Sequence, residues 1–134
     1  FNVAVSDRFS ADKLYIHKMD LGSHEKIVGA PVAVFGDTFA PQHVHAIQLV
    51  HFDRWIEQMG LPRPEYVKID VDGHEMAAIR GAMESLRGCK EVFIEIDDAK
   101  LDEIAGTLRQ LGFAMIEKHQ VQKYEGLWNC IFAR

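Results

Sequence analysis

The chain has 134 residues, 48 % of them hydrophobic and 26 % charged, with 15 basic against 20 acidic side chains and a formal net charge of −5. That length predicts one domain burying roughly two thirds of its unfolded surface, and the composition excludes a mostly disordered chain. No basic run interleaves with aromatics, so nucleic acid is not an expected partner. No apolar run approaches the roughly 18 residues of a membrane helix and no signal peptide leads the chain, so a cytoplasmic domain without a membrane partner is the expectation.

The first residue, Phe1, already stands inside a strand pattern: Phe1, Val3 and Val5 alternate with Asn2, Ala4 and Ser6 up to Asp7. Such a start is expected of a segment of a longer protein. Residues 12–18 read as a second strand after a turn at 8–11. From Met19 to Pro41 the pattern dissolves among Gly22, Gly29, Pro31, Gly36 and Pro41. This is a long loop or insertion, 19–44 at its widest, with a short strand possible at 30–35. His45–Val50 is the next strand, and Asp53 is placed to cap a short amphipathic helix, 54–59, that Gly60 and Pro62 stop.

The organising stretch follows, Pro64-Glu-Tyr-Val-Lys-Ile-Asp-Val-Asp-Gly-His-Glu75 and on to Arg80-Gly-Ala-Met83. Val67, Ile69 and Val71 alternate with Lys68, Asp70 and Asp72, which predicts a strand over 66–72 with one ionisable face. After Gly73 the period changes: Met76, Ile79, Met83 and Leu86 form one stripe of a helix over about 74–87. Strand 91–97, helix 99–111 and strands 113–117 and 127–133 complete the chain. Strands alternating with helices of this length predict parallel pairing through crossovers, and the last two strands predict an antiparallel hairpin at one edge. Ligands of open α/β sheets sit beyond the carboxyl ends of the parallel strands. Asp70, Asp72, His74 and Glu75 stand at such an edge, with Glu95 and Asp97 at the exit of the next strand. The plainer role for these acids is to cap the helix and pair with Lys68 and Arg80.

Taken with Ala4-Val-Ser-Asp7, Gln48-Leu-Val-His-Phe-Asp53-Arg-Trp-Ile and Arg80-Gly-Ala-Met83, the Lys68-Ile-Asp-Val-Asp-Gly-His-Glu75 block resembles the FkbM-type methyltransferases. Asp72 stands where that family more often carries Glu. The resemblance spans nearly the whole chain outside the 19–44 loop. It implies an α/β fold of the Rossmann-like methyltransferase type, mostly parallel with an antiparallel C-terminal hairpin, and S-adenosylmethionine as cofactor. It implies methyl transfer, most simply to a hydroxyl of a small molecule or sugar. By the same resemblance, Ser6, Asp7 and Asp70 approach the cofactor, Asp70, Asp72, His74 and Glu75 line the catalytic edge, and Glu95 and Asp97 face the substrate. His74 or one of Asp70 and Asp72 would take the hydroxyl proton.

The family also carries an earlier strand and a glycine-rich turn for the cofactor's methionine end, and none of the ten glycines here lies in a Gly-x-Gly arrangement. The chain therefore resembles about the C-terminal two thirds of such a domain, with the first strands of the doubly wound sheet missing. Its exposed sheet edges would favour self-association. A silent α/β fragment or interaction module is the alternative, and a nucleotide-binding or sugar-transferring protein a third reading. His43 and His45 share a strand face with His51 further on, but no further ligand has metal-site spacing, so no metal is expected. Asp70-Val-Asp72-Gly73 lacks the later ligands of a calcium loop. Trp55 and Trp128 fall on apolar faces and are expected in the core. Cys89 and Cys130 also lack metal-ligand spacing, which suits free thiols in a reducing compartment.

Overall fold

A computed structural model describes residues 2–19, 26–33, 36–122 and 124–134. Phe1, and Val34 and Phe35 of the possible 30–35 strand, lie outside the described residues. The elements in chain order are β1 (Val3–Ser6), β2 (Ser10–Ile16), β3 (Lys26–Val28), β4 (His43–His51), α1 (Phe52–Gln58), β5 (Tyr66–Ile69), α2 (Glu75–Gly81), α3 (Met83–Gly88), β6 (Glu91–Asp97), α4 (Asp98–Gln110), β7 (Ala114–Gln120) and β8 (Leu127–Ala133).

These strands form two mixed four-stranded sheets, ordered β1-β4-β2-β3 and β5-β6-β8-β7. The expectation of a mostly parallel sheet is therefore met only locally: β1 pairs parallel with β4 and β5 with β6, and the remaining pairings are antiparallel. The reason is connection length. Only a helix-bearing or comparably long crossover can return a strand parallel, whereas the short β7–β8 link makes an antiparallel hairpin and β2 runs antiparallel between β4 and β3. The C-terminal hairpin is present, with β8 between β6 and β7. Part of the segment read as loop is ordered by β3, and Val32 and Thr38 form an isolated antiparallel bridge.

The core lies on one face of the second sheet. Ile69, Val92, Ile94, Ile96, Cys130 and Phe132 pack against Ile79, Leu86, Ile104 and Leu108 from α2, α3 and α4. The opposite face leaves Tyr66 56 % and Phe93 38 % exposed. Strand β5 stops at Ile69, so Val71 is an exposed turn residue rather than part of the apolar strand face. Strand β7 is exposed along its whole length, and a register shift between Met115 and Glu117 turns Ile116 outward. Cys89 and Cys130 are free and buried, and burial pushes both thiols up from their ordinary pKa. Among the described residues no helix is long and apolar enough to cross a membrane.

Two expectations about helices are corrected. The helix read over 74–87 is two helices that meet at Ala82, whose φ of −114° and ψ of 13° leave the helical region. Asp53 does not cap its own helix. His51 occupies that N-cap position, and the buried Asp53 carboxylate instead accepts from the backbone N–H groups of Glu84 and Ser85, each at 2.8 Å, and from the Ser85 hydroxyl at 2.5 Å. It satisfies the open amides of α3, as an N-cap would, but from a different helix.

Candidate active site

Four chain segments meet where β1, β4, β5 and β6 end. Ser6 closes β1 and lies opposite His51 of β4 in the parallel register. Asp70 follows β5 directly, and Asp97 closes β6. The Asp70–His74 turn depends on Gly73, whose φ of 81° belongs to the left-handed region that suits glycine. Helix α2 then runs back over β1 at very short range. A β-carbon on Gly81 would stand 1.7 Å from the Ser6 carbonyl oxygen, so only glycine permits this approach. The Gly of Arg80-Gly-Ala-Met83 thus brings the helix that follows His74 against the strand that ends in Ser6.

The approach joins two candidate residues. His74 Nε2 lies 3.2 Å from Ser6 Oγ, and Ser6 Oγ lies 3.3 Å from Asp7 Oδ1, which also accepts from Arg8 Nη1 at 3.2 Å. Ser6 is fully buried. His74 is half-buried, and burial, reinforced by the Arg8 charge, lowers its pKa against the opposing pull of Asp7, Glu75 and Asp12. The imidazole is therefore neutral at neutral pH.

A second group forms on the β6 side. Buried Glu75 accepts from the Gly73 backbone N–H at 2.8 Å through Oε1 and from Lys100 Nζ at 3.1 Å through Oε2. Buried Asp97 caps α4 by accepting from the Lys100 backbone N–H at 3.0 Å, and its other oxygen lies 2.9 Å from Lys100 Nζ. Burial works against the Lys100 ammonium, but the Asp97 and Glu75 carboxylates outweigh it and raise its pKa. Glu75 thus holds the acidic turn in place and binds Lys100, with both of its oxygens engaged.

The remaining acids lie further out. Asp70 pairs with Lys68 at 2.6 Å on the open side of β5, where the Glu95 charge also acts on Lys68. Asp72 Oδ2 accepts from the backbone N–H of Lys26 at 3.2 Å, which ties the turn to β3. Sequence reasoning missed Lys100 and Lys26, and weighed His51 only as a metal ligand rather than beside Ser6. The spacing of Asp97 and Lys100, a cap position and the third residue of its helix, was the available signal for the first. The contact of Lys26 with the Asp72 turn and the place of His51 opposite Ser6 depend on the packing. His43 and His45 stack with ring centroids 6.2 Å apart, and no set of three or more metal-ligating side chains forms among the described residues. Trp128 is half-buried rather than enclosed, donating from Nε1 to Asp98 Oδ1 at 2.5 Å beneath the Lys118 ammonium.

A half-buried imidazole with a buried hydroxyl partner thus lies beside carboxylates at the carboxyl ends of parallel strands. The chain matches the family described as "Methyltransferase FkbM domain" over residues 2–115, and it belongs to that family. It is 34 % identical over 50 residues to the hexuronic acid methyltransferase AglP of Haloferax volcanii, a match covering 37 % of this chain and 21 % of that enzyme. The matched segment thus spans about a fifth of that relative. No solved structure matches significantly.

S-adenosylmethionine, which the family generally uses, can be tested against this donor set. Its adenine amine and ribose hydroxyls need acceptors, and its sulfonium and ammonium need negative charge. Asp7, the exposed Asp70 carboxylate and His51 Nδ1, a buried nitrogen without a hydrogen-bond partner, meet those needs. The described residues contain no glycine-rich turn for the carboxylate end. They fit the adenosine and the cationic centre.

Proposed function

We propose that this chain is the acceptor-side part of an S-adenosylmethionine-dependent methyltransferase that methylates a hydroxyl of a sugar or other small molecule. The observation that carries the proposal is the contact of His74 with buried Ser6, at the acid-lined edge of a chain in the FkbM family. The activity named for the archaeal relative favours a sugar acid as acceptor.

When bound, the cofactor supplies an electrophilic methyl group on a sulfonium. The chain's own residues then have two tasks. Asp7 and Asp70 hold the donor through its hydrogen-bonding and cationic groups, so that donor and acceptor oxygen align. His74, deprotonated at neutral pH, accepts the hydroxyl proton as the acceptor oxygen becomes nucleophilic. Glu75 and Lys100 fix the turn that carries His74, and Asp72, Glu95 and Asp97 bound the acceptor side. The β3 contact to Asp72 gives the 19–44 segment a route to acceptor choice.

The methionine carboxylate is held, in this reading, by segments outside these residues. Strands β1 and β5 are each the last of their sheet among the described residues, and their carboxyl ends converge at Ser6 and His74. Further parallel strands between them would complete one methyltransferase sheet. We place the protein in the cytoplasm, where buried free thiols persist.

The test uses an isotope-labelled methyl donor with uronic-acid and neutral sugar acceptors. Labelled O-methyl product is expected. His74→Gln should lower kcat about 10²- to 10⁴-fold, the usual worth of a general base, with little change in KM for the donor. Asp70→Asn should act mainly on that KM. A folded protein that labels no acceptor would instead identify an interaction module, the reading that the open β5 edge favours.

A further inference from the structure

Resting on the reading of His74 as the base, we infer that Asp7 and Ser6 form a directed hydrogen-bond chain that protonates His74 at Nε2 and leaves Nδ1 as the atom that receives the proton. Ser6 is thus a positioning residue.

The argument is one of donor counting. The Asp7 carboxylate can only accept. The Ser6 hydroxyl has a single proton and lies 3.3 Å from Asp7 Oδ1 and 3.2 Å from His74 Nε2. A proton given to the carboxylate forms the stronger, charge-assisted bond. The serine oxygen is then left as an acceptor, and the histidine nitrogen facing it must be the donor. The chain therefore reads His74 Nε2–H to Ser6 Oγ–H to Asp7 Oδ1. In a neutral ring, a proton on Nε2 means a lone pair on Nδ1. The imidazole makes no cap bond to the first turn of α2, although His74 occupies its N-cap position, so Nδ1 is not spent on the helix amides. Both contacts are at the long end for such bonds.

The surroundings support the same assignment. Ser6 is fully buried and cannot meet a substrate, so its hydroxyl is available only to these neighbours. Its position is fixed twice, by the β4 register opposite His51 and by the Gly81 contact on its carbonyl. The charged groups that act on the ring are Asp7, Arg8 and Asp12 from β1, β2 and their turn and Glu75 from α2, with His51 of β4 beside Ser6. The Arg8 guanidinium donates to the same Asp7 oxygen at 3.2 Å, so that oxygen is an acceptor on both sides. An ordinary N-cap histidine would exchange freely between its two tautomers. This one is held in a single tautomer by a side chain on a different strand.

The experiment is nitrogen-15 NMR of the histidine rings in the protein at pH 7.5, with the His74 signals identified by their loss in His74→Gln. The expected result is a dominant Nε2–H tautomer. It should give way to a mixture in Ser6→Ala and in Asp7→Asn, with kcat in Ser6→Ala down about fivefold to tenfold, the worth of one orienting hydrogen bond. The acid limb of the kcat profile should move as well, which a merely structural role for Ser6 would not cause. Asp7→Asn carries the test if Ser6→Ala fails to fold, since Asp7 lies at the partly exposed end of the chain of bonds. A dominant Nδ1–H tautomer in the unaltered protein overturns the inference, and so does an Nε2–H preference that neither substitution disturbs. The ring measurement needs no turnover. Failure of the methyltransferase reading would appear as missing product alongside an unchanged tautomer result.

Discussion

Gly81 and Lys100 show how single residues set this site. Gly81 contributes space: with the Ser6 carbonyl where its β-carbon would be, α2 lies close enough for His74 to reach Ser6. Gly81→Ala must move the helix or the strand, and overpacking against backbone of this kind costs about 3 kcal/mol. Urea unfolding should show a midpoint lowered accordingly, and an unchanged midpoint would mean that the approach is looser than described. Lys100 contributes charge between two buried carboxylates. Its pKa is raised from 10.5 on folding, so its contribution is fully present below that value and is lost as pH climbs through the higher folded value. Lys100→Met should cost about 1–2 kcal/mol at neutral pH, because the Glu75 and Asp97 carboxylates lose their partner while the lysine's partial exposure limits the loss. The unaltered protein should lose stability more steeply than the variant above pH 10. Equal alkaline slopes in urea titrations would contradict the Lys100 assignment.

At the scale of elements, the decisive joint is between α1 and α3. Asp53 sits in the first turn of α1 but its carboxylate binds the amides of Glu84 and Ser85. Asp53→Ala should therefore uncap a helix thirty residues away in sequence, at about 2–3 kcal/mol for a lost cap and buried groups left unpaired. Hydrogen exchange should accelerate in α3 more than in α1, and the reverse order would restore the local cap that the sequence suggests. The same joint shows what periodicity can reveal. Strand β6 was legible to the residue because buried Val92, Ile94 and Ile96 alternate with less buried positions, and β8 because its apolar run follows the turn at Gly126. The helix read over 99–111 is present one residue earlier, and the cap that Asp97 makes for it was not read. The break at Ala82 was not legible, since Met76, Ile79, Met83 and Leu86 keep helical spacing across it. Nor was the long-range partner of Asp53, because nothing in the spacing of 53 and 85 marks a contact. Strand β7, read over 113–117, runs from Ala114 to Gln120 and leaves Met115 and Ile116 exposed. The site was legible as a set of acids and a histidine at one sheet edge. Its internal order, with Glu75 on the turn, Lys100 between two acids and Ser6 behind His74, required the packing.

For the molecule as a whole, the two sheets and the placement of all core-facing helices on one side of β5–β6 describe an incomplete enclosure for a ligand. The proposed function puts the adenosine and the positive centre of S-adenosylmethionine at the carboxylate edge. Calorimetric titration of S-adenosylhomocysteine tests this directly, run on the 134-residue chain and on the longest version encoded upstream of Phe1. Binding by the longer version alone, weakened by Asp70→Asn or Asp7→Asn, is the expected result. Absence of binding by both, with each folded, would contradict the claim that this edge belongs to a methyltransferase site.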